Sequence, residues 1–183
     1  YVDYLNMRRA LGYDLTNMIY QYPRDLKAAH DRMVMESNQK EMDKRLEEVK
    51  VKFVGIRKQY RKLRKKYYYE DEEYIIRPAR SAEEIVMEGR LLHHCVGGDT
   101  YLSRHDTGTS YILMLRLKED ADNPYITIEI DASNDRIRQW YGAYDKKPDK
   151  EHMQEWIDQY VYKLQNNLLA ADQPAVQEVM ISA

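Results

Sequence analysis

The clearest hydrophobic pattern in the chain is a heptad repeat that begins near residue 35. Apolar or large residues recur at alternating spacings of four and three, at Met35, Gln39, Met42, Leu46, Val49, Phe53, Ile56, Tyr60, Leu63 and Tyr67. Charged residues fill the other positions, and only Gly55 interrupts the pattern, at a cost of about 1 kcal/mol relative to alanine. The repeat predicts a long, coiled-coil-like helical arm over residues 35–70. Its seam needs a second helix, from this chain or another copy, and we expect a homodimer through the arm.

The segments 1–34 and 148–170 predict shorter helices than the arm does. Residues 1–34 predict short helices, one ending at Gly12 and another starting after Pro23, because proline suits the first helical turn. Residues 148–170 predict an amphipathic helix that begins at Pro148. Residues 171–183 have no pattern and are interpreted as a tail.

Residues 71–147 predict a small α+β domain. A short strand, YIIR, precedes a helix that Ser81 and Glu84 open as a capping box and that Gly97-Gly98 ends. Three further strands, SYILMLRL, PYITIEID and RIRQWYG, follow with short connections, so an antiparallel sheet of three to four strands packed by helices is the simplest topology. In the middle strand the isoleucines face the core, while Thr127 and Glu129 lie on a polar face.

Composition narrows the function classes. The chain has 183 residues, a net charge of -2 and a pI near 6.3, which argues against a general polyanion binder and leaves only local basic patches. A single cysteine excludes an internal disulfide and fits a reducing compartment, and no apolar run is long enough to span a membrane. We therefore expect a cytoplasmic protein without a membrane segment. Because the chain begins at Tyr1, we also expect it to be a piece of a longer protein.

The stretch LLHHCVGGDTY, residues 91–101, holds the densest candidate chemistry. Successive helical residues point about 100° apart, so His94 is poorly placed to activate Cys95 if both are helical. The negative end of the helix dipole also opposes a thiolate, which favours a buried, packing cysteine over a nucleophile. In the exception, Cys95 opens a new turn and His105 is the base. Histidine, cysteine and aspartate are frequent here, but without the spacing of a known zinc motif we predict no metal and no cofactor.

A second candidate site combines several predicted elements. If the helix packs on the sheet, His94 approaches Thr127 and Glu129, with Arg116 and Gln139 on neighbouring strands. Such a group of side chains suits general acid–base catalysis or an anionic substrate. It equally suits a buried hydrogen-bond network that fixes strand register, which the absence of any reaction-specific spacing favours.

The third candidate is a basic stretch at the end of the arm. Seven cationic residues lie among tyrosines there, at Arg57, Lys58, Arg61, Lys62, Arg64, Lys65 and Lys66. They are suited to contact phosphates while the tyrosines stack on bases. The alternative is a solvated helix face that the acidic residues 70–73 balance.

Several of these motifs occur in a known family. A helix ending in LHHCVG, then Tyr101, a strand ending at Arg116, PYITIE and QWYG resemble the PcfJ-like proteins of conjugative plasmids, mobile elements and phages. The pattern also includes Tyr101 and Gln139, which we add to Arg57, Arg61, Lys62, Lys65 and Lys66 as candidate binding residues. An extra glycine, Gly98, is the one departure from the pattern.

The resemblance implies a mobile-element or phage context and no particular reaction. Our first hypothesis is an accessory protein that binds nucleic acid, a protein partner or both. The second is an enzyme acting on a phosphoester or nucleotide through His94, Cys95, Arg116, Thr127 and Glu129. The third is an inhibitor of a host protein.

Overall fold

The first three helices occupy the N-terminal part of the chain. A computed structural model describes residues 1–169, which divide into a unit over Tyr1–Glu48 and a second unit that starts at Val49. Helices α1, α2 and α3 span Val2–Ala10, Met18–Gln21 and Leu26–Lys52. None of the helices among residues 1–169 is both long enough and apolar enough to cross a lipid bilayer.

The tyrosine-rich segment after α1 surrounds a buried arginine. Arg8 is 6% exposed, and its guanidinium lies 4.8 Å from the ring centroids of both Tyr13 and Tyr20. The hydroxyl of Tyr4 donates to the backbone oxygen of Tyr20 at 2.5 Å. Cation–π contacts therefore add to the small apolar cluster of Tyr4, Ala29 and Met33 in the first unit.

The single helical arm predicted over residues 35–70 is not confirmed. Helix α3 ends at Lys52, Phe53 leaves helical geometry with φ -116° and ψ 49°, and α4 runs over Val54–Tyr67. A carboxylate oxygen of Asp106 accepts a hydrogen bond from the backbone N–H of Ile56 at 3.1 Å and so caps α4. A Cβ at Gly55 would lie 2.6 Å from that carboxylate. The glycine that interrupts the heptad pattern thus makes room for the cap.

The heptad seam is used differently on either side of this break. Its later positions are buried within the second unit, at Val49, Phe53, Ile56, Leu63 and Tyr67. Its earlier positions are more open, and Met35 is 72% exposed. A homodimer through the arm stays a prediction, and it now depends on positions 35–46 alone.

The second unit is built on a sheet of five strands rather than the predicted three to four. Strands β1 to β5 span Tyr69–Glu70, Tyr74–Pro78, Ser110–Leu117, Ile126–Asp131 and Ile137–Tyr141. They lie in chain order, each antiparallel to the next. The additional strand, β1, has two residues and forms a hairpin with β2. Asp71 closes this hairpin by accepting hydrogen bonds from the backbone N–H groups of Glu73 and Tyr74 at 2.9 and 2.8 Å.

One face of the sheet forms the main apolar core. The isoleucines predicted to face inward, Ile126, Ile128 and Ile130, are fully buried there. Helix α7, Lys150–Gln165, covers this face with Met153, Ile157, Tyr160 and Leu164. The tail predicted over residues 171–183 lies outside the described residues.

Helices α5, Ala82–Leu92, and α6, Asp99–Thr107, belong to the polar face. The hydroxyl of Ser81 accepts from the N–H of Glu84 at 3.2 Å, which confirms the forward half of the capping box. The reciprocal half is wrong, because Glu84 instead accepts from the N–H of Arg80 at 2.6 Å. The predicted helix end at Gly97-Gly98 is also wrong, since His93 turns left-handed, with φ 53° and ψ 48°, immediately after Leu92.

Candidate functional site

The polar face of the sheet holds a small pocket under α5 and α6. Its volume is about 60 Å³, and four of the predicted catalytic residues line it: His94, Cys95, Thr127 and Glu129. The predicted binding residues Tyr101 and Gln139 line it too. This volume holds a few water molecules or one small chemical group, and not a whole nucleotide.

Arg116, the fifth predicted catalytic residue, is committed to a buried ion pair beside the pocket. Its two terminal nitrogens lie 3.0 and 2.5 Å from the two carboxylate oxygens of Glu88. Thr127 donates its hydroxyl hydrogen to the same carboxylate at 3.0 Å. Both charged side chains are nearly fully buried, at 5% and 1% exposure, so the pair holds α5 against β3 and β4.

Glu88 is the central residue that sequence reasoning missed. It lies three residues after Ile85 and four before Leu92, on the face of α5 that the apolar residues define. A charged residue on the apolar face of a helix is a usable signal, because it needs a partner wherever the helix is buried.

His94 connects to this network through Thr127. Its Nε2 lies 3.2 Å from the Thr127 hydroxyl oxygen, so the predicted approach of the helix end to the strand is confirmed. Because Thr127 gives its only hydrogen to Glu88, we assign the hydrogen of this contact to His94 Nε2. Burial lowers the pKa of His94, and the nearby carboxylates of Glu88 and Asp145 oppose that shift. In the neutral imidazole the basic atom is therefore Nδ1.

Glu129 is held by four neighbouring side chains. Its carboxylate accepts from the Ser110 hydroxyl at 2.6 Å, the Gln139 amide at 2.8 Å and the Arg104 guanidinium at 3.2 Å. Arg138 lies 3.6 Å away. Gln139 is the cross-strand neighbour of Glu129, as the predicted meander implies, whereas Ser110 and Arg104 were not anticipated. With these donors in place the carboxylate has little capacity left to act as a base.

Cys95 is exposed, so the prediction of a buried packing cysteine is wrong. It opens a 3-10 turn over Cys95–Gly97, and its Sγ lies 3.8 Å from the Tyr101 hydroxyl. His105 is not available as its base, because that side chain is completely buried and its Nδ1 accepts from the N–H of Ile112 at 3.1 Å. Among residues 1–169 no three histidine, cysteine, aspartate or glutamate side chains are grouped as metal ligands.

Three non-glycine residues beside the pocket have a left-handed backbone. His93, Tyr144 and Asp145 all adopt positive φ near 55° without being glycine. The rings of His93 and Tyr144 stack at 4.5 Å with an interplanar angle of 5°, which ties the end of α5 to the turn after β5. Non-glycine residues in this region each cost on the order of 1–3 kcal/mol, and the surrounding packing holds them there.

Gly89 allows the pocket wall to form. A Cβ at this position would lie 2.8 Å from the backbone nitrogen of Gly97 and 2.9 Å from the carbonyl oxygen of His94. We expect Gly89→Ala to lower the free energy of unfolding by about 1–3 kcal/mol, measured by urea denaturation. Helix propensity alone predicts the opposite sign, a gain of about 1 kcal/mol, so a more stable variant would contradict this close packing.

The predicted binding residues separate into two places. Arg57 and Lys66 on α4 are ion-paired, with Glu83 and Asp135, at 2.8 Å each. Arg61, Lys62 and Lys65 are exposed on the same helix. Tyr101 and Gln139 instead lie in the pocket, where the amide donates to the phenol oxygen at 3.1 Å.

Comparison with known proteins matches the profile of PcfJ-like proteins to residues 1–157. The chain belongs to the PcfJ-like protein family. An uncharacterized protein from Listeria innocua is 27% identical over 148 residues, which cover 81% of this chain and 30% of that relative. The chain thus spans under a third of the length of this relative, and no solved structure matches the chain.

Six of the residues on which the predicted resemblance rests lie together in the structure. His94, Cys95, Tyr101, Thr127, Glu129 and Gln139 come from four separate elements and all line the pocket. Their catalytic role stays a prediction.

Proposed function

We propose that this chain is an accessory protein of a mobile element or phage that binds nucleic acid through one face of α4. The single observation behind this proposal is a row of exposed cations, Lys58, Arg61, Lys62 and Lys65, which we call the basic stripe. Their spacing of three, one and three residues puts all four on one side of the helix, over about 10 Å of its length. The PcfJ-like family membership supports the mobile-element context.

The chain does not neutralise the basic stripe within residues 1–169. None of its four members forms an ion pair there, although Arg57 and Lys66 beside it do. Three of the four acidic residues that follow α4 have other partners: Glu70 lies 4.0 Å from Lys118, and Glu73 lies 3.6 Å from His152. Asp71 accepts from the Trp156 indole at 2.7 Å. The sequence alternative, in which residues 70–73 balance the cations, therefore has little support.

Unbalanced charge of this kind has a cost in the free protein. Like charges three or four residues apart destabilise a helix by about 0.2–0.5 kcal/mol per pair. Phosphate groups relieve that repulsion and release condensed counterions when they bind. Because the whole chain carries a net charge of -2, the attraction is local and orients the α4 face toward a polyanion.

Salt-dependent binding tests the proposal. Fluorescence anisotropy with labelled single- and double-stranded oligonucleotides should show that affinity falls linearly with salt on a log–log scale. Four phosphate contacts predict a slope of about -3 to -4, and so a loss of roughly 60- to 250-fold between about 50 and 200 mM salt. The variant Lys58→Glu, Arg61→Glu, Lys62→Glu and Lys65→Glu should abolish both the binding and the slope.

A matched control separates the stripe from net charge. Arg90→Glu, Arg136→Glu, Lys146→Glu and Lys150→Glu change the charge equally at exposed positions elsewhere. This control should bind with nearly the native slope. Equal losses in both variants, or no salt-dependent binding by the native protein, would overturn the proposal, and binding of an acidic protein alone would also count against it. Catalysis at the pocket and inhibition of a host protein stay predictions from the sequence.

A further inference from the structure

A second, larger cavity adjoins the basic stripe. It is a groove of about 430 Å³ between α4, α5 and the β2–β3 strands, and Tyr60, Arg64, Arg80, Asp122 and Pro124 are among its lining residues. Its volume lies in the range of pockets that hold a nucleotide-sized ligand. The pocket beside His94, at about 60 Å³, does not.

The groove keeps positive charge after its internal pairs are counted. Arg77 is bound through both terminal nitrogens to Glu84, at 3.0 and 2.6 Å, so these two charges neutralise each other. Arg116 is neutralised in the same way by Glu88. Arg64 and Arg80 form no ion pair within residues 1–169, and against the single further carboxylate of Asp122 they leave the groove a net positive charge for an anion.

Flat π surfaces lie beside these cations. The guanidinium of Arg64 lies 4.2 Å from the ring centroid of Tyr68, which makes a stacked pair at the groove. Tyr60 is half-buried and has no ring contact or hydrogen bond with another side chain in the described part of the chain. An aromatic ring that is left accessible next to guanidinium groups is the arrangement that single-stranded nucleic acids use for base stacking.

Helix geometry joins the groove to the basic stripe. At about 100° per residue, Tyr60 and Arg64 point between the buried face of α4, which holds Leu63, and the stripe, which begins at Arg61 on that side. Phosphates on the stripe would therefore bring the adjoining base to the mouth of the groove.

We infer that the groove binds one unpaired base of a single-stranded nucleic acid, stacked on Tyr60, while the flanking phosphates contact Arg64, Arg80 and the basic stripe. This inference rests on the proposed function and adds the class of strand. Bases in a duplex are stacked on each other inside the helix and cannot enter a groove unless they are extruded. In a single strand the flat faces of the bases are accessible for stacking.

The test compares strand types and tyrosine variants by anisotropy. The probes are a labelled oligothymidylate of about 12 nucleotides and a duplex of the same length. The native protein should bind the single strand more tightly. Tyr60→Leu should weaken single-strand binding about tenfold while leaving the salt slope and the duplex affinity unchanged. Tyr60→Phe, which keeps the ring, should bind as the native protein does.

The control variant is Tyr162→Leu, which removes a tyrosine that is 64% exposed on α7. It should leave single-strand affinity unchanged, and thermal melts should show that all three variants fold. If Tyr60→Leu binds the single strand with native affinity and a native salt slope, the groove inference is wrong and the basic stripe still stands. Tighter binding of the duplex would overturn the inference in the same way. We expect the salt dependence of binding to be lost only in the variant that replaces the four cations of the basic stripe.

Discussion

Replacing Arg116 by methionine is expected to lower the free energy of unfolding by about 3–5 kcal/mol. The change leaves the Glu88 carboxylate at 1% exposure with the Thr127 hydroxyl as its one remaining strong donor. A carboxylate without a countercharge pays a large desolvation penalty that a single hydroxyl does not offset. Methionine fills much of the vacated volume, so the loss reports charge rather than a cavity.

A double-mutant cycle, with the free energy of unfolding measured in urea, tests the cost of leaving one of these buried charges unpaired. Glu88→Met alone should be similarly destabilising, whereas the double variant Glu88→Met/Arg116→Met should recover most of the loss, because no charge is left unpaired. Arg138→Met is the control: Arg138 pairs with Asp131 at 2.7 Å and lies 3.6 Å from Glu129 but is 33% exposed, and Glu129 keeps Arg104, so its loss should cost much less than the loss of Arg116. Equal effects at Arg116 and Arg138 would contradict a buried, uncompensated charge.

Acidification is the second large effect. Burial lowers the pKa of His105 from 6.5 to about 4. Its Nδ1 accepts from the Ile112 N–H at 3.1 Å, and protonation there would replace this bond with a buried charge. Between these two pKa values the unfolded chain binds a proton that the folded protein does not. Stability is therefore fully present above pH 6.5 and falls as the pH drops, by on the order of 3 kcal/mol at about pH 4.

The test is the slope of unfolding free energy against pH between about 5 and 6.5, above the titration of most carboxylates. His105→Asn should flatten this slope, because an asparagine oxygen can accept from Ile112 without titrating. His94 titrates in the same direction, since burial lowers its pKa too, so His94→Asn provides the parallel measurement. A native slope in His105→Asn would show that this histidine is not the acid-sensitive group.

Local pattern accounts for most of the α+β domain. The alternation in β4, with buried Ile128 between Thr127 and Glu129, places one polar and one apolar face correctly because a strand has a period of two. The short strand β1 escaped prediction because two residues carry no period. Its hairpin depends on hydrogen bonds that the backbone N–H groups of Glu73 and Tyr74 donate to Asp71 and that only the folded turn provides.

The heptad repeat shows where pattern alone is ambiguous. Apolar residues at spacings of three and four show which side of a helix is apolar, but they do not show which other element covers that side. Leu63 and Tyr67 pack against the sheet of the same unit, so the second half of the seam never needs another copy. The break at Phe53 depends on a cap from Asp106, a residue fifty positions away.

The candidate site could also be predicted only in part from the sequence. His94 and Thr127 could be placed together because a helix that packs on a predicted strand must bring its end near that strand. Glu88 could not be paired with Arg116 from the sequence, since the pair spans 28 residues and its geometry depends on the register of α5 over the sheet. The exposure of Cys95 follows from the left-handed turn at His93. This turn could not be predicted from the sequence, because such turns usually occur at glycine or asparagine.

The two outer strands of the sheet offer little for another chain to pair with as an added strand. An open strand edge is a template on which another chain can add a strand, and so a starting point for aggregation. Here β1 has only two residues with which an added strand could pair, and β5 carries the charged guanidinium of Arg138. We expect concentrated solutions of this protein to resist fibril formation through these two strands.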